Sequence, residues 1–262
     1  MDVFHYRIRL LDSVYFAREG LKGAVTPPLL HATALNCAVE TAANLSPSQH
    51  PYVMSEQNGG RNVPRYENSL ISNAFYMTPA QPLGPIDYRV EIAKGENDGL
   101  LRIQKRKPDR KRGIKRVDIT TQALRFCTLH FLPPETEFSG FLFLQRETLD
   151  LPELIRLGSF RAPASVKWSK ASRFRPIGKK APIAHAVDPL VTTVTRGVMA
   201  NMLPYGVVQN ATASDVLEAQ FPYPPEGDTG NSRKTFRVAA PDSWKEERAE
   251  NLPTRDEGTV AL

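Results

Sequence analysis

The sequence has little cysteine and no long apolar run. Two of its 262 residues are cysteines, Cys37 and Cys127, and neither lies in a C-x-x-C pair or near a histidine at metal-ligand spacing. The longest apolar stretches, such as residues 141–144, are far shorter than the roughly 18 residues that a membrane-spanning helix needs. We therefore expect buried thiols, no zinc site and no contact with a membrane.

Signals for secretion and for familiar catalytic sites are also missing. The first residues lack a basic segment followed by an apolar one, which predicts a cytoplasmic protein. The motifs G-x-x-x-x-G-K-[ST], H-E-x-x-H and G-x-S-x-G do not occur. We expect no catalytic residues, no metal and no cofactor.

Positive charge is present in excess and is unevenly distributed. The chain has 34 Lys and Arg against 28 Asp and Glu, which gives a net charge of +6. The last residues from 242 onward carry six acidic and three basic side chains, so the preceding body of the chain is more basic than the total suggests. Residues 241–262 are predicted to form a disordered acidic tail.

The densest positive region, residues 102–116, is called here the hairpin block. It holds nine basic residues and one acidic residue, Asp109. Such a density of like charge favours a solvated segment that binds a polyanion or an acidic partner. Residues 86–92 and 117–120, on either side, alternate as strands do. The pattern predicts a long hairpin with a basic tip, and a plain solvated loop is the alternative.

A second basic segment covers residues 154–187. It contains eight basic residues and no acidic one, and Phe160, Trp168 and Phe174 lie close to cations. Cations for phosphates and flat rings for unpaired bases are typical of single-stranded nucleic-acid binding. The prolines within the segment exclude the long amphipathic helix of a membrane surface. The alternative is that the aromatic rings belong to the core and the cations decorate the surface.

The order of predicted elements favours an α+β fold with a ferredoxin-like or RRM-like sheet. In residues 2–11, apolar side chains alternate with basic ones, including Arg7 and Arg9. The further predicted elements are a helix from the prolines at 27–28 to about residue 43, strands at 72–77, 124–131, 136–144 and 235–239, and short helices at 151–157 and 215–220. Residues 1–150 are predicted to form the core with a thumb at 94–121, and residues 151–240 a basic, glycine-containing loop and a smaller β-rich C-terminal part.

Several short stretches resemble a known family. They are FHYRIRLLDSVYFA at residues 4–17, PLLHATAL at 28–35, LPPET at 132–136 and LIRLGSFR at 154–161. Together they resemble the Csc-one subunits of subtype I-D CRISPR effector complexes, which belong to the Cas-five group. The resemblance covers about residues 3–200.

This resemblance implies a RAMP-type RNA-binding fold with a β-hairpin thumb. It also implies a subunit that holds the 5′ handle of the CRISPR RNA (crRNA), contacts the backbone and large subunits, and lies near target DNA. Taken with the charge pattern, it predicts RNA contacts at Arg7, Arg9, Lys105, Arg106, Lys107, Arg110, Lys111, Arg112, Lys115, Arg116, Gly158, Phe160, Arg161, Lys167, Trp168, Lys170, Arg173 and Arg175.

Two other functions stay open at this point. A metal-independent ribonuclease needs an acid and a base, for which histidine is suited near pH 7. The candidates are His5, His31, His50, His130 and His185, and His5 could approach His31. A basic scaffold protein that binds folded RNA, unrelated to CRISPR systems, is the other alternative.

Overall fold

The structure, a computed structural model, describes residues 1–16, 24–44, 75–95, 125–145, 149–200, 206–222 and 233–244. Its centre is an antiparallel six-stranded sheet, called here the main sheet. Five strands follow one another in the order β3-β7-β1-β9-β8, and β4 also pairs with β7. Their bounds are β1 Asp2–Leu10, β3 Phe75–Met77, β4 Gln81–Pro82, β7 Glu137–Leu144, β8 Leu154–Leu157 and β9 Ala162–Lys170.

Strand β1 lies in the middle of the main sheet and follows the predicted alternation. Tyr6, Ile8 and Leu10 are fully buried on one face. The Tyr6 hydroxyl donates a 2.7 Å hydrogen bond to the carbonyl of Thr78, so its polar end is satisfied within the core. The residues between these three turn to the opposite face. The first-strand prediction is confirmed.

Helix α1, Ala32–Ala42, packs against the apolar face of the main sheet. Its buried Leu35 and Val39 are four residues apart and therefore lie on one side of the helix. His31 is the N-cap, and its Nδ1 accepts a 3.2 Å hydrogen bond from the backbone N–H of Thr33. The helix begins four residues after the last proline of the predicted start.

Three smaller sheets of three strands each complete the described fold. The second sheet has the order β10-β14-β15, the third β11-β13-β12 and the fourth, the hairpin sheet, β2-β6-β5. Their bounds are β2 Ala24–Val25, β5 Arg89–Gly95, β6 Arg125–Phe131, β10 Arg173–Pro176, β11 Ala181–Pro182, β12 Val194–Ala200, β13 Val207–Ala213, β14 Leu217–Pro222 and β15 Arg233–Val238.

The second sheet packs against part of the main sheet and forms a second core. Phe141 and Phe143 of β7 contact this core from one side, and Phe221 of β14 and Val238 of β15 contact it from the other. A 3-10 turn at Asp242–Trp244 adds a buried tryptophan. Among the described residues, the second sheet therefore packs on the face of the main sheet opposite α1, at the residues that form this core.

Two predicted helices are strands. In residues 151–157 the leucines and isoleucine suggested helical spacing, but Ile155 and Leu157 are buried while Leu154 and Arg156 are exposed, which is the period of a strand. This segment is β8 and pairs with β9. Residues 215–220 lie largely within β14, where burial alternates in the same way. In both cases pairing with a neighbouring strand outweighs the local pattern.

Strands from both predicted parts of the chain meet in the main sheet. Because β8 and β9 pair beside β1, residue 150 does not separate two sheets. The predicted disordered tail begins too early, since Trp244 is 4% exposed in the second core. Residues 245–262 lie outside the described residues.

The fold is mostly β, with α1 as the α-helix of the described residues. The ferredoxin-like prediction is not confirmed, because β1 and β7 pair antiparallel and the predicted second helix is a strand. Antiparallel β5 and β6 confirm a hairpin, although its returning strand is β6 and the tip lies outside the described residues. None of the described helices is long and apolar enough to cross a membrane.

Buried His185 makes stability depend on pH. Its Nε2 accepts from the Ala239 N–H at 3.0 Å, so Nδ1 carries the proton and donates to the Ala186 carbonyl at 2.8 Å. Burial lowers the pKa of His185 to about 4. The unfolded chain takes up this proton near pH 6.5, so the contribution is complete above about pH 6.5 and is lost as the pH falls toward 4.

As the pH falls through that window, we expect protonation of His185 in the unfolded chain to lower the free energy of unfolding by up to about 1.4 kcal/mol per pH unit. Urea unfolding at several pH values, with a His185→Gln variant alongside, measures this contribution. The variant should be less stable at pH 7 and should lose stability more slowly on acidification. Equal slopes for both proteins would show that His185 does not remain neutral in the folded state.

Candidate nucleic-acid interface

The face of the main sheet opposite α1 is called here the open face. Strand register places one row of side chains across it: Ser139 of β7, Arg7 of β1 and Lys167 of β9. Lys167 is exposed and Arg7 is half-buried. Residues directly opposite in an antiparallel pair have Cβ atoms about 5 Å apart. Two cations, one exposed and one half-buried, thus lie side by side on the face of the main sheet opposite α1.

The next row of the open face is less positive. Arg9 forms an ion pair with Glu135, and Glu137 is its register partner on β7. Both partners of this ion pair are more than half exposed, so it adds little to stability. The nearby carboxylates do reduce the local positive potential. Arg9 therefore already has a carboxylate partner on this face.

The turn between β8 and β9 lies at one end of the open face. Gly158 and Arg161 both have a left-handed backbone, with φ of 74° and 54°. The Ser159 N–H donates a 2.7 Å hydrogen bond to the carbonyl of Tyr15. A Cβ on Gly158 would lie 2.6 Å from that same carbonyl oxygen. Only glycine allows this close approach, which fixes the turn to the chain after β1.

This turn holds Phe160 in an exposed position. Its ring is 65% exposed. It stacks on Tyr15 with a centroid distance of 5.9 Å and on Phe131 with a distance of 6.2 Å, at interplanar angles of 25° and 22°. Since Phe131 ends β6, Phe160 lies beside the base of the basic hairpin. A largely exposed aromatic ring, supported by two others, thus lies beside the end of β6.

Trp168 and Lys170 lie on the other face of the main sheet. Register pairs Trp168 with Tyr6 and Lys170 with Phe4, on the side that α1 covers. The Trp168 Nε1 donates a 2.9 Å hydrogen bond to the carbonyl of Pro152. Lys170 forms a 2.6 Å ion pair with Asp2. The structure gives both residues packing or pairing roles and does not bring them together with Arg7.

Arg173 and Arg175 lie on the outer face of the second sheet, away from the open face. Arg173 donates to the Gln220 side chain at 2.8 Å, and Arg175 forms a 2.6 Å ion pair with Glu218. The remaining predicted RNA contacts, Lys105, Arg106, Lys107, Arg110, Lys111, Arg112, Lys115 and Arg116, lie outside the described residues. Of the eighteen predicted residues, the structure brings together two groups: Arg7, Arg9 and Lys167, and Gly158, Phe160 and Arg161.

His5 lies where the open face meets the second sheet. Its ring stacks on Phe236 of β15 at 5.3 Å and 11°, and packs against Phe141 at 5.3 Å. Burial, with the nearby charges of Arg7 and Lys234, lowers the pKa of His5 to about 4. His5 is therefore neutral at pH 7 and acts as one member of an aromatic cluster.

The other described histidines are also engaged in the fold. His31 caps α1, His185 bonds two backbone groups, and the His130 ring lies 6.3 Å from that of Tyr88. His50 lies outside the described residues. The predicted approach of His5 to His31 finds no support, since His5 packs among phenylalanines and His31 bonds the first turn of α1.

Comparison with models of protein families identifies the family of this chain. The model of the family described as type I-D CRISPR-associated protein Cas5/Csc1 matches residues 1–226. The chain belongs to this Cas5/Csc1 family. The match runs from β1 through β14 and includes the open face and the β8–β9 turn. A search of curated proteins found no match. Family membership supports a role as a subunit of a CRISPR Cascade complex.

Two cations next to the predicted set escaped the sequence reasoning. Arg156 lies on the open face of β8, and its Nη1 donates to the carbonyl of Arg161 at 3.2 Å. Lys234 reaches the His5 cluster from β15. Recognising Arg156 required reading residues 154–157 as a strand. Lys234 could not be found from sequence, because its position depends on packing between two sheets.

The geometry at Gly158 predicts an unusual sensitivity to substitution in this Cas5/Csc1 chain. Gly158→Ala should lower the free energy of unfolding by roughly 1 kcal/mol because of the left-handed backbone. The close contact of the new Cβ with the Tyr15 carbonyl should lower it by about 1–3 kcal/mol more. Gly178→Ala is a matched control, since Gly178 has φ of 67° but no atom within 4 Å of its added Cβ. Chemical denaturation measures both losses. Equal losses would mean that the turn does not rest on the Tyr15 carbonyl.

Proposed function

We propose that the chain is a non-catalytic, RNA-binding subunit of a type I-D Cascade. It holds the 5′ handle of the crRNA and joins the backbone and large subunits for interference with target DNA. Family membership supports the complex, and the pairing of Arg7 with Lys167 on the open face is the observation that carries RNA binding. Adjacent cations on an exposed sheet suit the phosphates of a single strand.

The open face and the β8–β9 turn together suggest a path for the RNA. Lys167 and Ala162 are five residues apart on β9, which corresponds to about 16 Å along the strand. Phosphates bind near Arg7 and Lys167, and an unpaired base stacks on Phe160 at the far end. The described stem of the hairpin, β5 and β6, has its base at Phe131 beside Phe160.

The RAMP-type origin of the main sheet belongs to this proposal. A central strand followed by a helix on one face, with the other face basic, is the arrangement that the family resemblance implies. The hairpin block then serves as the thumb that contacts RNA and a neighbouring subunit. Cytoplasmic localisation follows from the same assignment.

Co-purification tests the proposed function. A tagged chain expressed with its complex should retain larger proteins and one defined short RNA, which sequencing identifies. Incubation of the isolated chain with that RNA tests the ribonuclease alternative. Cleavage would favour a nuclease, and recovery of mixed structured RNA without partner proteins would favour an unrelated scaffold.

Phosphate contacts on the open face predict a strong dependence on salt. If about four to six phosphates are neutralised, the slope of log affinity against log salt should be about −3 to −4. A variant with Arg7→Gln and Lys167→Gln should bind more weakly and reduce the magnitude of the slope by about 1.4. Fluorescence anisotropy with a labelled handle RNA measures both quantities.

The control variant carries Arg173→Gln and Arg175→Gln. It removes the same formal charge from the outer face of the second sheet, where both side chains already have protein partners. Its salt slope should match that of the unmodified protein. If the two variants lose equal affinity, binding follows total charge and the open face has no special role.

Phe160 provides a separate prediction about base stacking. Phe160→Ala should weaken RNA binding by about 1–3 kcal/mol. It should change stability little because most of the ring is exposed, and Phe160→Tyr should restore binding. Trp168→Ala should instead lower the free energy of unfolding by about 3 kcal/mol. A Phe160→Ala protein that melts early yet binds RNA normally would show that the ring serves packing alone.

A further inference from the structure

Strand β15 lies beyond the region that the family model matches. It begins at Arg233, and the match ends at residue 226. β15 pairs antiparallel with β14 over six residues. Its side chains alternate: Phe236 and Val238 point into the second core, and Arg233 and Arg237 are exposed on the outer side. By the same alternation, Lys234 lies on the inner side with Phe236.

The second sheet packs against the main sheet, and this brings the inner side of β15 to the edge of the open face. The Phe236 ring stacks on His5 of β1, almost parallel, with centroids 5.3 Å apart. The Nζ of Lys234 lies 5.0 Å from the centroid of the same Phe236 ring. Lys234 is therefore anchored above the stack and is also exposed to solvent.

Arg7 also lies near the stack. It is two residues from His5 on β1, so the two side chains share a face and their Cα atoms are about 6.6 Å apart. Arg7 and Lys234 both act electrostatically on the His5 ring. One cation from β1 and one from β15 thus lie near the same neutral aromatic stack.

We propose that Lys234 is a phosphate-binding residue that extends the RNA path of the open face across the boundary between the main and second sheets. The ligand is a backbone phosphate of the same single-stranded RNA that contacts Arg7 and Lys167. The inference rests on the proposed function of the open face. It adds a binding residue from a strand that the family match does not include.

The arrangement favours a phosphate over other ligands. Two cations beside a ring that stays neutral at pH 7 attract negative charge. A nucleobase would need an open ring face, but the Phe236 ring stacks on His5 and has Lys234 over it, and the His5 ring also packs against Phe141 and Phe221. Lysine also acts as a flexible point charge, which suits a backbone of varying conformation.

Lys234→Gln tests the proposal through RNA affinity and its salt dependence. Removal of one phosphate contact should reduce the magnitude of the salt slope by about 0.7, which corresponds to a three- to fourfold loss of affinity at about 0.15 M salt. Lys234→Arg should keep both the charge and the affinity. Lys234→Met keeps the aliphatic stem over Phe236, so a loss in this variant reports charge rather than packing. Thermal melting of each variant checks the fold.

Arg233→Gln is the matched control, since it removes one charge from the adjacent residue on the outer side of β15. It should leave the affinity unchanged. Equal losses for Arg233→Gln and Lys234→Gln, or no loss for Lys234→Gln, would overturn the inference while leaving the open face intact as the binding site. If the unmodified protein shows no salt-dependent RNA binding, the proposed function itself fails.

Discussion

The alternation of side chains along β1 is the constraint on which the other elements depend. As the central strand of the main sheet, β1 pairs with β7 and β9 over nearly its whole length. A slip of one residue would turn Tyr6 and Ile8 out of the core and bury Arg7. The register therefore fixes both the packing of α1 and the position of the cations on the open face.

The same alternation separates apolar burial from charge. On the covered face, aromatic and aliphatic side chains pack beneath α1 with their polar ends satisfied, as at Tyr6 and Trp168. On the opposite face, the part near the second sheet is apolar and the rest carries polar and charged side chains. His5 stands between these two regions, and its neutral ring allows it to join the phenylalanines without placing a buried charge beside Arg7.

Local patterns predicted the elements whose periodicity was long or well punctuated. The strands β1, β6 and β7 and the helix α1 follow from such patterns, and so does the basic side of β1. The pairing of β5 with β6 does not, because the predicted returning strand is residues 117–120, which lie outside the described residues. Patterns failed at residues 151–157 and 215–220. Short apolar runs there fit both a helical and a strand period, and pairing with a strand distant in sequence makes them strands. The patterns also did not separate Lys167 from Lys170 by face, because they predict a basic loop at residues 162–170, whereas in the strand β9 residues three apart lie on opposite faces.

The contribution of β15 to the second core also bears on where this folding unit ends. The family match ends at residue 226, but the hydrophobic core continues beyond it. Phe236, Val238 and the buried Trp244 all come from the chain beyond that point and cover Phe141 and Phe221. The end of the family match and the end of the hydrophobic core are therefore different positions in this chain. Strand β15 and the turn after it, which lie beyond the match, are part of the hydrophobic interior.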